Sequence, residues 1–385
     1  MKTIHSPYQH GAIYLLRWLR LPCIRAAAQP VEFHGQAIGW TSLNPSDPLQ
    51  WQSGLRYIPE LSFSFPAGNY TFDGEFSANL WGNLLYASGD SLQTSHEISP
   101  YRMWVRFSGN QCELRAGLQK INFGSASLFR PLMWFDRIDP RDPLQLTDGV
   151  YGLLGRYYFL NNANLWAWAL YGEDKTKGWE VLPTKKNSIE YGGRAQVPVP
   201  RGEAAASYHH RTAHAGGILP DSIYTGETYP ENRFGIDAKA DLGVGVWAEG
   251  VLIHQDLNFT EMKYTSLLNA GLDYTFNLGN GLNMMTEAFF YFRGTRPLES
   301  TEKITFGLLS ATYPVTIIHN LSAMVFYDFD SGDLYRFVNW SMAYDRWSFY
   351  LMGFWNPESY RLYNIEPGTT LYSGWGFQLM AVFHH

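Results

Sequence analysis

Residues 70–80 read Tyr70-Thr71-Phe72-Asp73-Gly74-Glu75-Phe76-Ser77-Ala78-Asn79-Leu80, and every second position carries the same kind of side chain. In an extended chain Phe72, Gly74, Phe76, Ala78 and Leu80 share one face, and Thr71, Asp73, Glu75, Ser77 and Asn79 share the other. A helix would smear these polar residues around its whole circumference, so the period is that of a strand whose faces meet different surroundings. The alternation returns downstream. Phe234, Ile236, Ala238, Ala240 and Leu242 oppose Gly235, Asp237, Lys239 and Asp241; Leu268, Ala270, Leu272, Tyr274 and Phe276 oppose Asn269, Gly271, Asp273, Thr275 and Asn277.

Working outward from these segments, the pattern predicts about eighteen strands between residues 31 and 383. Each has the ~9–11 residues, or slightly more, that a tilted strand needs to cross a bilayer. The connections alternate in length. Short ones fall at 66–68, 109–110, 161–162, 199–201, 243 and 278–281; long ones fall at 84–100, 121–149, 173–187, 212–231 and 356–370. Strict alternation with both termini on the short-turn side is the arrangement of an up-and-down transmembrane barrel. Ser331-Gly332 is the exception, a short connection where the scheme asks for a long outer loop, which leaves sixteen strands as the alternative to eighteen.

Composition supports an all-β transmembrane reading. Of 385 residues 16% are aromatic and 17% charged, against roughly 25% charged in an average chain. Mean hydropathy is −0.23. No stretch approaches the ~20 apolar residues of a helical span, so a membrane would be crossed by strands. The net charge of −6 gives no footprint for nucleic acid. A soluble propeller would also yield many short strands, but it should repeat every ~40–50 residues, and no such repeat is present. At the N-terminus, Lys2, an apolar stretch from Ala12 to Cys23 and Ala26-Ala27-Ala28-Gln29 read as an atypical signal peptide over 1–28, interrupted by Arg17, Arg20 and Arg25. The remainder, 29–385, reads as one barrel domain. Cys23 and Cys112 make no disulfide framework.

One stretch carries a resemblance. It runs from Leu114-Arg115-Ala116-Gly117-Leu118-Gln119-Lys120-Ile121-Asn122-Phe123-Gly124 through Arg130-Pro131-Leu132 to Asp139-Pro140-Arg141-Asp142-Pro143. These roughly thirty residues resemble bacterial outer-membrane porins of the alginate-export and related substrate-specific kind. Phe123 stands where that pattern leads one to expect tryptophan, and Asp139 where it leads one to expect asparagine. The alternating final strand, Tyr372 to Phe383, is similar to an outer-membrane assembly signal, with His384 and His385 following the aromatic. The resemblance implies a Gram-negative outer-membrane location, contact with lipid and with the barrel-assembly machinery, and passage of small polar solutes.

If the polar faces line a lumen, its charges segregate. Arg102, Arg106, Arg115, Arg156 and Arg194 face inward with Glu113 and Glu190, whereas Asp237, Asp241, Asp273, Glu287 and Asp328 face inward with Lys239 and Arg293. Opposed charge across a narrow aqueous pore orients polar solutes and filters ions; the alternative is that these residues pair with one another. The 121–149 segment is too long for a plain connection and too apolar for disorder. Phe129, Leu132, Met133, Trp134 and Phe135 require burial, while Arg130, Arg137 and Arg141 can pair with Asp136, Asp139 and Asp142. It is expected to fold into the barrel as a constriction. Trp104, Trp166 and Trp168 are expected in the interfacial girdles rather than the lumen. His209, His210 and His214 are a weak metal candidate, and Asp328, Asp330 and Asp333 a weak Ca²⁺ candidate. No catalytic signature is recognised, and neither metal nor cofactor is expected. The function expected is passive diffusion of small polar or charged solutes, with an outer-membrane enzyme or adhesin acting through its outer loops as the alternative.

Overall fold

The computed structural model describes residues 31–46, 49–89, 92–139, 141–173, 175–215, 228–258, 260–358 and 372–385. The signal peptide expected over 1–28 lies outside them, as do Pro140 and the tips of the 215–227 and 356–374 connections. The strands are β1 (Glu32–Asn44), β2 (Gln50–Ala67), β3 (Tyr70–Ala87), β4 (Gln93–Ser108), β5 (Cys112–Gln119) and β6 (Val150–Tyr158). They continue with β7 (Asn164–Tyr171), β8 (Ile189–Val199), β9 (Gly202–His214), β10 (Thr228–Asp241), β11 (Gly245–Gln255) and β12 (Tyr264–Phe276). The last six are β13 (Leu282–Gly294), β14 (Glu302–Pro314), β15 (His319–Asp328), β16 (Leu334–Ala343), β17 (Trp347–Trp355) and β18 (Trp375–His384).

Each strand pairs antiparallel with the next, and β1 pairs with β18 from Gln36↔His384 to Leu43↔Phe377, closing an 18-stranded barrel. Closure leaves no unpaired edge in the membrane. Sixteen strands is therefore excluded. The Ser331-Gly332 exception is a true outer connection made tight: Asp328 Oδ1 accepts the Asp330 and Ser331 amides at 2.8 and 3.2 Å, and Gly332 takes φ +78°. This turn explains why the Asp328, Asp330, Asp333 run exists. A second difference concerns 84–100. Most of it is strand, since β3 and β4 extend to Ala87 and from Gln93, and an irregularity between Ser77 and Ala78 opposite Pro100 restores the facing.

The exterior is apolar, with Leu55, Phe72, Phe234, Ile236, Val338 and Leu379 exposed, and aromatics such as Tyr157, Trp347, Tyr171, Trp355 and Trp375 stand at the strand ends. These form the two girdles. Trp104, Trp166 and Trp168 depart from the girdle expectation: all three face the lumen, where Trp104 Nε1 donates to Glu75 and Trp168 Nε1 to His209. Trp168 also lies against Gly192, its registered cross-strand neighbour, as Trp40 does against Gly54 and Trp247 against Gly271. A side chain at any of these glycines would occupy the volume of the indole.

The inner wall is not uniformly polar. From β13 to β17 it presents Phe289, Phe306, Phe326, Phe337 and Phe354, all buried. Both faces of these strands are apolar, so the inner one must be covered from within. The 121–149 segment covers it: Phe129 stacks on Phe289 and Phe306 at 5.2 and 5.7 Å and meets Phe326 edge-on at 5.6 Å. Burying one such ring contributes about 1.5–3 kcal/mol.

Candidate functional site

The site is built from three parts: the in-folded 121–149 segment, an arginine-rich wall on β2 to β6, and a second loop, 172–188, that packs over the first. The segment leaves β5 at Gln119 and crosses toward β11 and β13, where its backbone donates to wall carboxylates. Its later part turns back, and Leu144 and Leu146 pack against Ile38, Ile58 and Val382. Arg102 Nη2 donates to the Thr147 carbonyl at 2.8 Å.

On the arginine-rich wall Glu113 is shared by Arg115, Arg156 and Arg106 at 3.1, 3.4 and 3.9 Å. Arg106 Nε and Nη2 also donate to Asp73, at 2.9 and 3.1 Å. The indoles spread these cations, with Arg115 and Arg106 at 4.6 and 5.6 Å from Trp104 and Arg156 at 3.9 Å from Trp166. Among the described residues Arg102 donates to the Tyr101 and Thr147 carbonyls, and the Nε atoms of Arg56, Arg115 and Arg156 are buried without a hydrogen-bond partner. The wall thus keeps donor capacity that Asp73 and Glu113 do not use, beside the further carboxyls of Glu75 and Glu60. Arg56 was missed at the sequence level, and Asp73 was placed on the polar face of its strand without being named as a lumen charge; both lie on strands whose alternation places them inward.

The remaining charges sort differently. Arg194 and Asp237 pair bidentately at 2.6 and 3.0 Å, and Asp237 also accepts from Ser125 at 2.9 Å. Arg141 holds Asp139 through Nε at 2.7 Å and lies 4.5 Å from the Tyr372 ring. Arg137 donates to Thr176 at 2.6 Å, Arg130 lies 3.9 Å from Asp136, and Asp142 accepts the Leu144 amide at 3.0 Å. Burial pushes the carboxyls of Asp136 and Asp142 above the ordinary range, against the pull of Arg130 on the first and of the Leu144 amide on the second. Asp241 caps its own turn, accepting from Gly243 at 3.0 Å. With Asp273, Trp247, Lys239 and Arg201 it lines a recess of about 550 Å³ at the turn-side mouth. A recess of about 490 Å³ lies in the wall of β2 to β4, lined by Ser62, Ser64, Thr71, Glu75 and Trp104.

At the other end of the lumen the 172–188 loop packs against β9 and β10. Glu180 of the 172–188 loop accepts from Arg233 at 2.7 Å and lies 3.4 Å from Arg211, and Glu231 holds the same two guanidiniums, all of them buried. Trp179 stacks on Phe289 at 5.0 Å and donates to the Arg130 carbonyl at 2.8 Å, so this loop rests on the first. A crevice of about 50 Å³, lined by Phe135, Asp136, Arg137 and Lys177, lies between them. The histidines do not converge: His209 is buried inward between Trp168 and Glu190, and His210 turns to Asn232 and Tyr191. Among the described residues no group of three His, Cys, Asp or Glu side chains is placed to hold a metal ion.

Apolar exterior, closed ladder and loop-filled polar lumen define a membrane-spanning β-barrel with hollow mouths on its turn side. Solved structures share this fold. The chain is similar to OccK5 (OpdH) of Pseudomonas aeruginosa with a TM-score of 0.53 at 10% identity, over 92% of this chain and 97% of that one. It is similar to OmpT, an outer membrane protein of Vibrio cholerae, at 0.52 and 10%, over 92% and 99%. For OpdQ of Pseudomonas aeruginosa the values are 0.52 and 9%, over 93% and 98%. At these identities the likeness is one of fold. No family model and no curated protein matches the sequence.

Proposed function

We propose that the protein is an outer-membrane channel through which small polar or charged solutes diffuse, with the 121–149 segment as its constriction. The observation that carries this reading is the cluster of inward guanidiniums of Arg56, Arg102, Arg106, Arg115 and Arg156 beside Glu60, Asp73, Glu75 and Glu113, in which the Nε atoms of Arg56, Arg115 and Arg156 have no partner among the described residues. Buried donors left without an acceptor are costly in a purely structural role. Facing a water-filled path they are solvated and act on passing solutes. The two turn-side recesses supply the volume for that path on either side of Ser125 and Trp104. The fold shared with OmpT, itself an outer membrane protein, supports the location.

Swelling of proteoliposomes in iso-osmotic solutes of graded size and charge tests the reading. Uptake that falls with size and differs between anionic and cationic solutes of equal size is expected. Liposomes carrying folded barrel that swell no faster than empty ones would overturn it and turn attention to the outer loops.

A further inference from the structure

The position of the in-folded segment depends on an unusual bond between backbone and side chain. Glu287 on β13 accepts the amides of Ser127, Leu128 and Phe129 at 2.8, 3.2 and 2.7 Å, and the Trp247 indole at 3.2 Å. Glu249 on β11 accepts the amides of Ala126 and Leu132 at 2.7 and 3.2 Å. Both side chains are buried, and among the described residues neither has a cation within ion-pair distance. Their charge is met by the peptide N–H groups of the segment itself. The segment is shaped for them. Gly124 takes φ +107°, and a side chain there would begin 2.4 Å from Glu249 Oε1. Gly235, on the wall, leaves the room that Leu132 and Trp134 occupy, since a Cβ would stand 2.4 Å from Leu132 Cδ2.

We propose that Glu249 and Glu287 form a carboxylate clamp that sets the aperture of the channel by holding residues 124–132 across the lumen. The inference rests on the channel reading and names the positioning residues of its constriction. A carboxylate suits the task because it only accepts, at about four lone-pair sites. A neutral amide would turn half of itself, as a donor, against the same N–H groups. The clamp fixes the backbone of the segment, so it acts whatever side chains line the free edge. Gly235 works from the wall side: filling it pushes Leu132 and Trp134 into the lumen while leaving the carboxylates intact.

The test compares wild type with Glu287→Gln, the double variant Glu249→Gln/Glu287→Gln, and Gly235→Leu, each in lipid. Barrel integrity is checked by heat-modifiable migration. Hydrogen exchange at Ala126, Ser127, Leu128, Phe129 and Leu132 reports the clamp, and single-channel recording reports the aperture. Exchange at these amides is expected to rise at least tenfold in the Gln variants, with β11 and β13 still protected, and conductance to rise or fluctuate between levels. Gly235→Leu is expected to change conductance while Glu287 keeps its three amides protected. Unchanged exchange in the Gln variants overturns the clamp. Freed amides with the conductance of a conducting wild type unaltered overturn its control of the aperture. Freed amides in a barrel that passes no current before or after substitution overturn the channel reading instead. If the double variant fails to fold, Glu287→Gln alone carries the test.

Discussion

Gly178 has φ +46°, and a Cβ there would lie 1.7 Å from the Met133 carbonyl oxygen, so the 172–188 loop touches the 121–149 segment backbone to backbone. Gly178→Ala should lift the loop at a cost of about 1–3 kcal/mol, the usual range for overpacking. Trypsin cleavage after Lys177 should then be faster than in wild type, and equal rates would show that the contact holds nothing. At Asp136, burial outweighs Arg130 and Lys120 and raises the carboxyl. Its neutral form is favoured in the folded state, so its contribution to stability is full at acid pH and is lost as pH rises through the raised value. Asp136→Asn should therefore exceed wild type in urea resistance at neutral pH, with the gap closing on acidification; a gap independent of pH would contradict the assignment. Alternation revealed that Arg102, Arg115 and Asp237 face inward. It carried no information on partners, because Arg194 and Asp237 are joined across β8 to β10 by register and not by local sequence.

Among the elements, the 172–188 loop is fastened by an ion-pair network that links Glu180 to Arg211 and Arg233, which Glu231 also holds. Removing one member of a buried network leaves its partners uncompensated, at about 3–5 kcal/mol. Glu180→Ala should raise exchange throughout 175–188 and leave the β9–β10 ladder protected; loop exchange at the wild-type rate would mean that Trp179 alone suffices. Strands were legible element by element because one face meets lipid and period two survives every turn. The reading weakened at β13 to β17, where Phe289 and Phe290 put apolar rings on both faces and alternation no longer reports polarity. For 121–149 the sequence carried a need for burial. It did not carry the partners, since the rings that receive Phe129 lie on β13, β14 and β15, more than 150 residues away.

For the whole molecule, period two and the connections favoured eighteen strands over the sixteen that the short Ser331-Gly332 junction left open, whereas the packing inside the lumen was not readable. Glycines 54, 192 and 271 carry no mark of their own in the sequence, yet each receives a cross-strand tryptophan. Guanidiniums gather on β2 to β6, while paired charges and aromatic rings line the opposite side. The account therefore centres on a charged, partly obstructed path. Its most direct test is single-channel recording in a planar bilayer under a salt gradient, comparing wild type with Arg115→Glu/Arg156→Glu. The account predicts stepwise openings and a reversal potential displaced toward cation preference in the variant. A folded, inserted barrel without openings, or openings whose reversal potential ignores both substitutions, would contradict it.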